Sequence, residues 1–305
     1  GIKATIFMPV GVALPKLEAT RDYGAEVVLT GHIFNESLAA AKAHAAETGA
    51  IFVPPYDDDA IIVGQGTVGL EVFEALPDVD TIIVPIGGGG LIAGIAGAVK
   101  QRAAEAGRKV RIIGVQAENA AAYPPSLKAR KPVTVEVHPT IADGIAVALP
   151  GAKPFEIIKN LVDEFVTVSD DDIARALLML IERAKLVAEP AGAAGVAAIL
   201  AGKVDAVGPT TVIISGGNID PKLMERVISR GLIASGRYLH IRIPLPDRPG
   251  QLARVSEIVA GQNANAICDH MNDVRIVASD RTVLIFLLAG ERDVSVVKLM
   301  VIRLS

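Results

Sequence analysis

The 305 residues are 51% apolar with a mean hydropathy of +0.44, which excludes a disordered chain and supports about two sizeable cores. The net charge of -4, with no long basic run, excludes nucleic acid as the main partner. Cys268 is the only cysteine, which rules out an intramolecular disulfide and fits a reducing cytosol. Five histidines and this one cysteine show no zinc-ligand spacing.

Gly1 to Pro9 already reads as a strand, with no initiating Met or signal peptide before it, so the chain is expected to begin within a fold. Pro15 to Tyr23 reads as a helix, Ala25 to Leu29 as a strand, and Asn35 to Thr48 as a helix with Asn35 as N-cap and Gly49 as its stop. Ile51 to Pro54 is a short strand and Thr67 to Leu76 a helix. Thr81 to Ile86 is a wholly apolar, β-branched run that stops at Gly87-Gly-Gly-Gly90, and Leu91 to Ala106 is helical. Such a strand suits burial on both faces of a parallel sheet. Thr81 to Val99 is long and uncharged enough to be tested as a membrane span, but its glycines and Pro85 favour a buried strand, loop and helix.

Val110 to Gln116 is the next buried strand, Tyr123 to Asp143 is rich in loop and proline, and Phe155 to Leu161 and Asp170 to Ala184 are helical. Ser169-Asp-Asp-Asp172 is an N-terminal capping signal rather than a metal site. Glu189 to Ala198 opens a small-residue helix, and Thr210 to Ile214 is a strand running into Ser215-Gly-Gly-Asn218. Alternating strands and helices at this spacing predict an α/β fold, a doubly wound and mostly parallel sheet.

A boundary follows near residue 235, giving one domain over 1–235 and a second over 236–305. Tyr238 to Pro246 alternates with period two, Gln251 to Gln262 is helical, Ala266 to Val277 and Thr282 to Leu288 alternate again, and Val294 to Leu304 reads as a second helix. This order, β-α-β-β-α, lacks only the last strand of a ferredoxin-like α+β module.

Four glycines remove every Cβ from the turn after Ile86, so its N–H groups and the helix N-terminus behind it suit a phosphate. Gly88-x-Gly90-x-x-Ala93, with Glu118 after the next strand, also fits a dinucleotide fingerprint, and a plain tight turn is a third reading. A single phosphate needs only the compact nest, as in pyridoxal 5′-phosphate. Ser215, at a strand end followed by two glycines, offers a neutral partner for a ring nitrogen, which suits β-elimination better than transamination. An ordinary strand-ending turn remains open there.

Taken in order, Ile86-Gly-Gly-Gly-Gly-Leu91, Thr140-Ile-Ala-Asp-Gly-Ile145, Glu189-Pro-Ala-Gly192 and Ser215-Gly-Gly-Asn-Ile219 resemble the threonine ammonia-lyases (threonine dehydratases) of the tryptophan-synthase-β-like pyridoxal-phosphate enzymes. Met8-Pro9 with Lys16, Tyr23-Gly-Ala25 and Gly64-Gln-Gly-Thr67 are similar too. The resemblance implies that Gly87, Gly88, Gly89 and Gly90 bind the cofactor phosphate, that Ser215 meets the pyridine nitrogen, and that Gly144 and Glu189 lie beside the cofactor. It implies deamination of L-threonine to 2-oxobutanoate and ammonia, in isoleucine biosynthesis or threonine degradation. The alternatives are a serine dehydratase or serine racemase and, from other classes, a nicotinamide-binding enzyme or an inactive amino-acid sensor.

The family's Schiff-base lysine motif (Ser/Phe-x-Lys-x-Arg-Gly) and its Ser-x-Gly-Asn-His-like loop do not occur here, and Lys185 and Lys222 do not match that context. The expectation is a chain that represents part of its parent enzyme. The acidic metal ligands of serine-racemase-type relatives are poorly supplied by Gln116, Glu118, Ala120 and Ala122, so no metal is expected. Tyr238 onward resembles an ACT domain, with Asp247, Pro249, Gly250, Gln251 and Leu252 as the regulatory stretch for an amino-acid effector. The alternative there is a strand–turn–helix that only mediates oligomer contacts, and a homo-oligomer, dimer or tetramer, is expected without nucleic acid or membrane as partner.

Overall fold

The computed structural model describes residues 2–12, 14–32, 34–241, 249–261, 264–270, 273–278, 282–287 and 298–303. Strands β1 (Thr5–Met8) and β2 (Glu26–Leu29) pair in parallel across helix α1 (Leu14–Asp22), and α2 (Phe34–Thr48) packs on β1. Asn35 lies one residue inside α2 and is not its cap. Glu36, in the first turn, reaches back to accept from the His32 N–H at 2.6 Å. Gly49 does end the helix, at φ 71°. Ile51 to Pro54 is not a strand: Ile51 and Val53 are exposed, and these residues join none of the sheets among the described residues.

Helix α3 (Asp59–Ala75) starts eight residues before its expected position, because Asp58 caps it by accepting from the Ala60 N–H at 2.8 Å. Gly64 and Gly66 both lie within the helix. Gly66 and Gly69 face α4 (Gly90–Glu105), where a Cβ on either would stand 3.2 Å from the Gly94 carbonyl oxygen or 3.0 Å from that of Ile95. Close packing, not flexibility, explains those glycines.

Between these helices runs β3 (Thr81–Pro85), every residue of it buried, and β4 (Arg111–Ala117) follows α4. The chain continues through α5 (Tyr123–Ala129), α6 (Ala152–Leu161), β5 (Glu164–Val168), α7 (Asp170–Met179), α8 (Pro190–Leu200), β6 (Thr210–Val212) and α9 (Pro221–Ala234). The four strands form one parallel sheet in the order β5-β4-β3-β6. Alternation sends Ile82, Val84, Ile86 and Ile112 to one face, with Ile92, Phe155 and Ile158, and sends Ile83, Ile113 and Val115 to the other, with Ile173, Leu177 and Ala194. Each fully buried isoleucine contributes roughly 1.5–3 kcal/mol. The doubly wound expectation holds.

Three elements had no counterpart in the sequence reading: α5, β5 and α9. Helix α5 hides among prolines because Pro124 and Pro125 occupy its first turn, where no N–H is needed. The helix expected over 170–184 stops at Met179 and passes into a π-helical turn, Leu180–Ala184, closed by Lys185 in the left-handed region at φ 57°.

Ser169 and Asp172 form a reciprocal capping box at the start of α7: the Asp172 N–H donates to the Ser169 hydroxyl at 3.1 Å, and the Ser169 N–H to the Asp172 carboxylate at 3.0 Å. Burial alone would raise the Asp172 carboxyl, but the Ser169 donors, the Arg175 guanidinium and the Lys203 charge together hold it below its ordinary value. A depressed carboxyl stabilises the fold above the unfolded value of 3.8, and that contribution is lost as pH falls below it. Asp172→Ala is expected to lose about 1–2 kcal/mol at pH 7, narrowing below pH 3.8. Urea unfolding at pH 7 and in acid checks both parts.

Toward the C-terminus, β7 (Tyr238–Ile241), α10 (Gln251–Ala260), β8 (Ala264–His270) and β9 (Asp273–Ala278) give a three-stranded antiparallel sheet, β7-β9-β8, with α10 against β8. β10 (Thr282–Leu287) and β11 (Lys298–Arg303) form an antiparallel pair. The single stretch expected over 266–277 is therefore two strands, β8 and β9, which pair antiparallel with His270 opposite Asp273. The helix expected over 294–304 is replaced by β11, whose partner strand decides its conformation, and the order becomes β-α-β-β-β-β. Asp247, the rest of the strand expected up to Pro246, and the Leu252 side chain lie outside the described residues.

Candidate functional site

The glycine turn joins β3 to α4, on the edge where the parallel strands end. Gly88, Gly89 and Gly90 are buried, yet among the described residues the N–H groups of Gly87 to Gly90 donate to no protein acceptor. Buried N–H groups are rarely left unpaired, so three in succession, with that of half-buried Gly87 before them, imply an external acceptor. Gly89 takes φ 101° as the N-cap of α4, so the positive end of that helix adds to the same point. The donor set fits a phosphate.

The glycines are also required by what surrounds them. A Cβ on Gly88 would enter the Tyr56 ring, and one on Gly89 would fall on the Tyr123 hydroxyl. A Cβ on Gly87 would lie 3.4 Å from the Gly144 carbonyl oxygen. Beside the turn opens a cavity of about 460 Å³ lined in part by Pro55, Gln65, Gly90, Leu91 and Ser215. Ser215 is exposed, and its hydroxyl has no hydrogen-bond partner among the described residues. The last glycine of the turn, Gly90, and a free neutral hydroxyl thus share one cavity.

Glu189, at the N-cap position of α8, connects the remaining expected positions. Its N–H donates to the Gly216 carbonyl at 2.9 Å, and its Oε1 lies 3.2 Å from where a Cβ on Gly144 would stand. Burial pushes the Glu189 carboxyl up, Lys16 opposes this, and Asp143 adds to it. Lys16 itself lies 3.9 Å from Asp143. A raised carboxyl penalises folding as pH rises through its unfolded value and beyond, and not below it. Glu189→Gln is expected to be more stable than the parent at pH 7 and equal to it in acid, measured as melting temperature against pH. An equal difference at all pH values would reject this reading.

Thus Gly87 to Gly90, Gly144, Glu189 and Ser215 all gather at one end of the sheet. Pro249, Gly250 and Gln251 lie apart in chain order, in the turn before α10 and its first residue. Sequence reasoning missed Tyr56 and Tyr123, which carry no motif of their own; only the fold brings them, and Gln65 of the Gly64-Gln-Gly-Thr67 stretch, to the turn. Lys185 donates to the Glu182 carbonyl at 2.7 Å, in keeping with a surface role. Gln116 is buried and turned inward, accepting from the Tyr123 N–H at 3.0 Å, while Glu118 is exposed. No cluster of metal-ligating side chains occurs among the described residues, and no helix among them is long and apolar enough to cross a membrane.

Comparison with known proteins adds to this geometry. The family model described as pyridoxal-phosphate dependent enzyme matches residues 1–216. An L-threonine ammonia-lyase of Geobacter sulfurreducens is 51% identical over 266 residues, which is 87% of this chain and 65% of that protein. The chain therefore spans about two thirds of that relative's length. Among solved structures, threonine deaminase isoform 2 from Solanum lycopersicum (processed form) superposes with a TM-score of 0.69 at 34% identity, covering 75% of this chain and 66% of that one. Maize serine racemase gives a TM-score of 0.69 at 33% identity, covering 77% and 72%. The match to a pyridoxal-phosphate family leaves the nicotinamide reading of the glycine turn without support.

Proposed function

The chain belongs to the pyridoxal-phosphate dependent enzymes, and from that premise we propose that it serves the deamination of L-threonine to 2-oxobutanoate and ammonia. One observation carries the reading: the turn Gly87 to Gly90, whose N–H groups donate to no protein acceptor among the described residues, ends at Gly90 on the cavity that the free Ser215 hydroxyl also lines. Gly87 to Gly90 would hold the cofactor phosphate, and Ser215 would meet its pyridine nitrogen. When bound, the cofactor supplies an electron sink for charge developing at the substrate Cα.

Each protein group then has a limited task. The helix N-terminus neutralises the phosphate and fixes the ring's position. The Ser215 hydroxyl is too weak an acid to protonate the ring nitrogen, so the sink stays moderate and loss of the β-hydroxyl is favoured over full carbanion chemistry. Gly144 leaves room beside the ring. Glu189, its carboxyl raised by burial, retains a proton to higher pH than an ordinary glutamate and offers it near the reacting centre.

The test is direct. The full-length protein, supplied with pyridoxal 5′-phosphate, is expected to release ammonia and 2-oxobutanoate from L-threonine, and the reading fails if no ammonia appears. A second reading, dehydration or racemisation of L-serine, is favoured by the likeness to maize serine racemase. The higher identity to a threonine ammonia-lyase weighs for threonine. Rates with the two amino acids at equal concentration decide between them.

For residues 236–305 we propose a regulatory module of ACT type after a catalytic domain over 1–235, in a cytoplasmic homo-oligomer. The sheet β7-β9-β8, with α10 led in by the Pro249–Gly250 turn, supports it, since a helix N-terminus takes an amino-acid carboxylate. Calorimetric titration with isoleucine and with valine tests the sensor. Absence of heat for both leaves the region an oligomer contact.

A further inference from the structure

We infer that Tyr123 is a positioning residue for the phosphate cradle, aiming the Gly89 N–H by anchoring the Gly88 carbonyl. The inference rests on the assignment of Gly87 to Gly90 as the cofactor phosphate site. The Gly88 carbonyl accepts two hydrogen bonds, from the Tyr123 hydroxyl at 3.1 Å and from the Gly151 N–H at 3.0 Å. A trans peptide unit is planar, with its C=O and N–H pointing in opposite directions. Drawing the Gly88 C=O into the core therefore turns the Gly89 N–H of the same unit outward. Gly89 is in the left-handed region and carries no Cβ, so beyond the Tyr123 and Gly151 donors little resists a flip of that peptide.

Tyr123 is itself firmly held. It is fully buried, its ring stacks on Phe165 at 5.9 Å and 8° and leans on Phe155 at 6.4 Å, and its N–H donates to Gln116 Oε1 at 3.0 Å. Gln116 is fixed in turn from β4, by its own bond to the Ala120 carbonyl at 3.4 Å. A relay thus runs from the central sheet through Gln116 and Tyr123 to the cradle. Burial, with Tyr56 and Asp57 nearby, pushes the Tyr123 hydroxyl well above the usual phenol range, so it remains a donor at any pH at which the fold survives.

The probe is pyridoxine 5′-phosphate, which carries ring and phosphate without an aldehyde to react with surface lysines. Its dissociation constant and the 31P resonance of its bound phosphate are measured in the parent, in Tyr123→Phe and in Ile173→Val. The last variant trims the core on the opposite face of the sheet and controls for lost stability. Tyr123→Phe keeps the ring and its packing. It is expected to weaken binding about fivefold or more and to shift the bound resonance, whereas Ile173→Val leaves both unchanged. Gln116→Met, which removes the acceptor behind Tyr123, is expected to act in the same direction. Unaltered binding in Tyr123→Phe, or equal weakening in Tyr123→Phe and Ile173→Val, overturns the inference alone. Failure of the parent to bind overturns the assignment of the cradle and the inference with it.

Discussion

Gly89→Ala is expected to cost about 3 kcal/mol of stability and to abolish measurable binding of the phosphate. Two penalties add. At φ 101° an L side chain is strained by roughly 1–2 kcal/mol. The new methyl group would also coincide with the Tyr123 hydroxyl and stand 2.8 Å from Ile158 Cδ1 and 3.0 Å from Pro154 Cβ, overpacking worth roughly 1–3 kcal/mol. Relief requires Tyr123 to move, which breaks its bond to the Gly88 carbonyl, so stability and phosphate binding fall together. Urea unfolding and a pyridoxine 5′-phosphate titration measure the pair. A variant within 1 kcal/mol of the parent that still binds would show that the turn relaxes freely, and the rigid cradle would be wrong.

Gly94→Ala is the second large effect, and there two opposing terms must be compared. Within a helix alanine is favoured over glycine by about 1 kcal/mol. Against this, the added Cβ would overlap the Ile62 carbonyl oxygen and stand 2.6 Å from the Gly66 nitrogen and 2.9 Å from the Gln65 carbonyl carbon. All three are backbone of α3 and cannot swing aside as a side chain does, so the two helices must part. Overpacking of this kind outweighs the propensity gain, and a net loss of about 2 kcal/mol is expected, more for Gly94→Val. Because Gln65 and Val68 of α3 line the cavity with Gly90 and Leu91 of α4, separation also enlarges it. Thermal unfolding of the two variants is decisive: a melting temperature above that of the parent would mean propensity dominates and the seam is loose.

Much of the catalytic fold was legible because local signals agreed with the final packing. The β-branched run Thr81 to Val84 before the glycines favoured a strand buried on both faces, and the Ser169–Asp172 capping signal marked the start of α7. Misreadings occurred where a residue has two uses. The helix read from Thr67 proved to start at Asp59 and to include Gly64 and Gly66, with Gly66 in its packing seam; Pro124 and Pro125 read as loop and proved to be in the first turn of α5. Glu164 to Val168 is a short strand that only its pairing with β4 establishes.

By itself the sequence determined the glycine turn at the end of a buried strand, the neutral Ser215 after a second strand, and Glu189 opening a small-residue helix, because these depend on residue type and local order alone. Only the tertiary structure decided that they meet. Gly87 abuts Gly144, Glu189 lies between Gly144 and Gly216, and Ser215 shares a cavity with Gly90, all across wide gaps in the chain. The same holds for Tyr123, whose hydroxyl reaches Gly88 from 35 residues away. A side chain's pairing across such a distance is set by sheet order and helix packing, which no local pattern encodes, so the residue that aims the cradle carried no mark in the sequence.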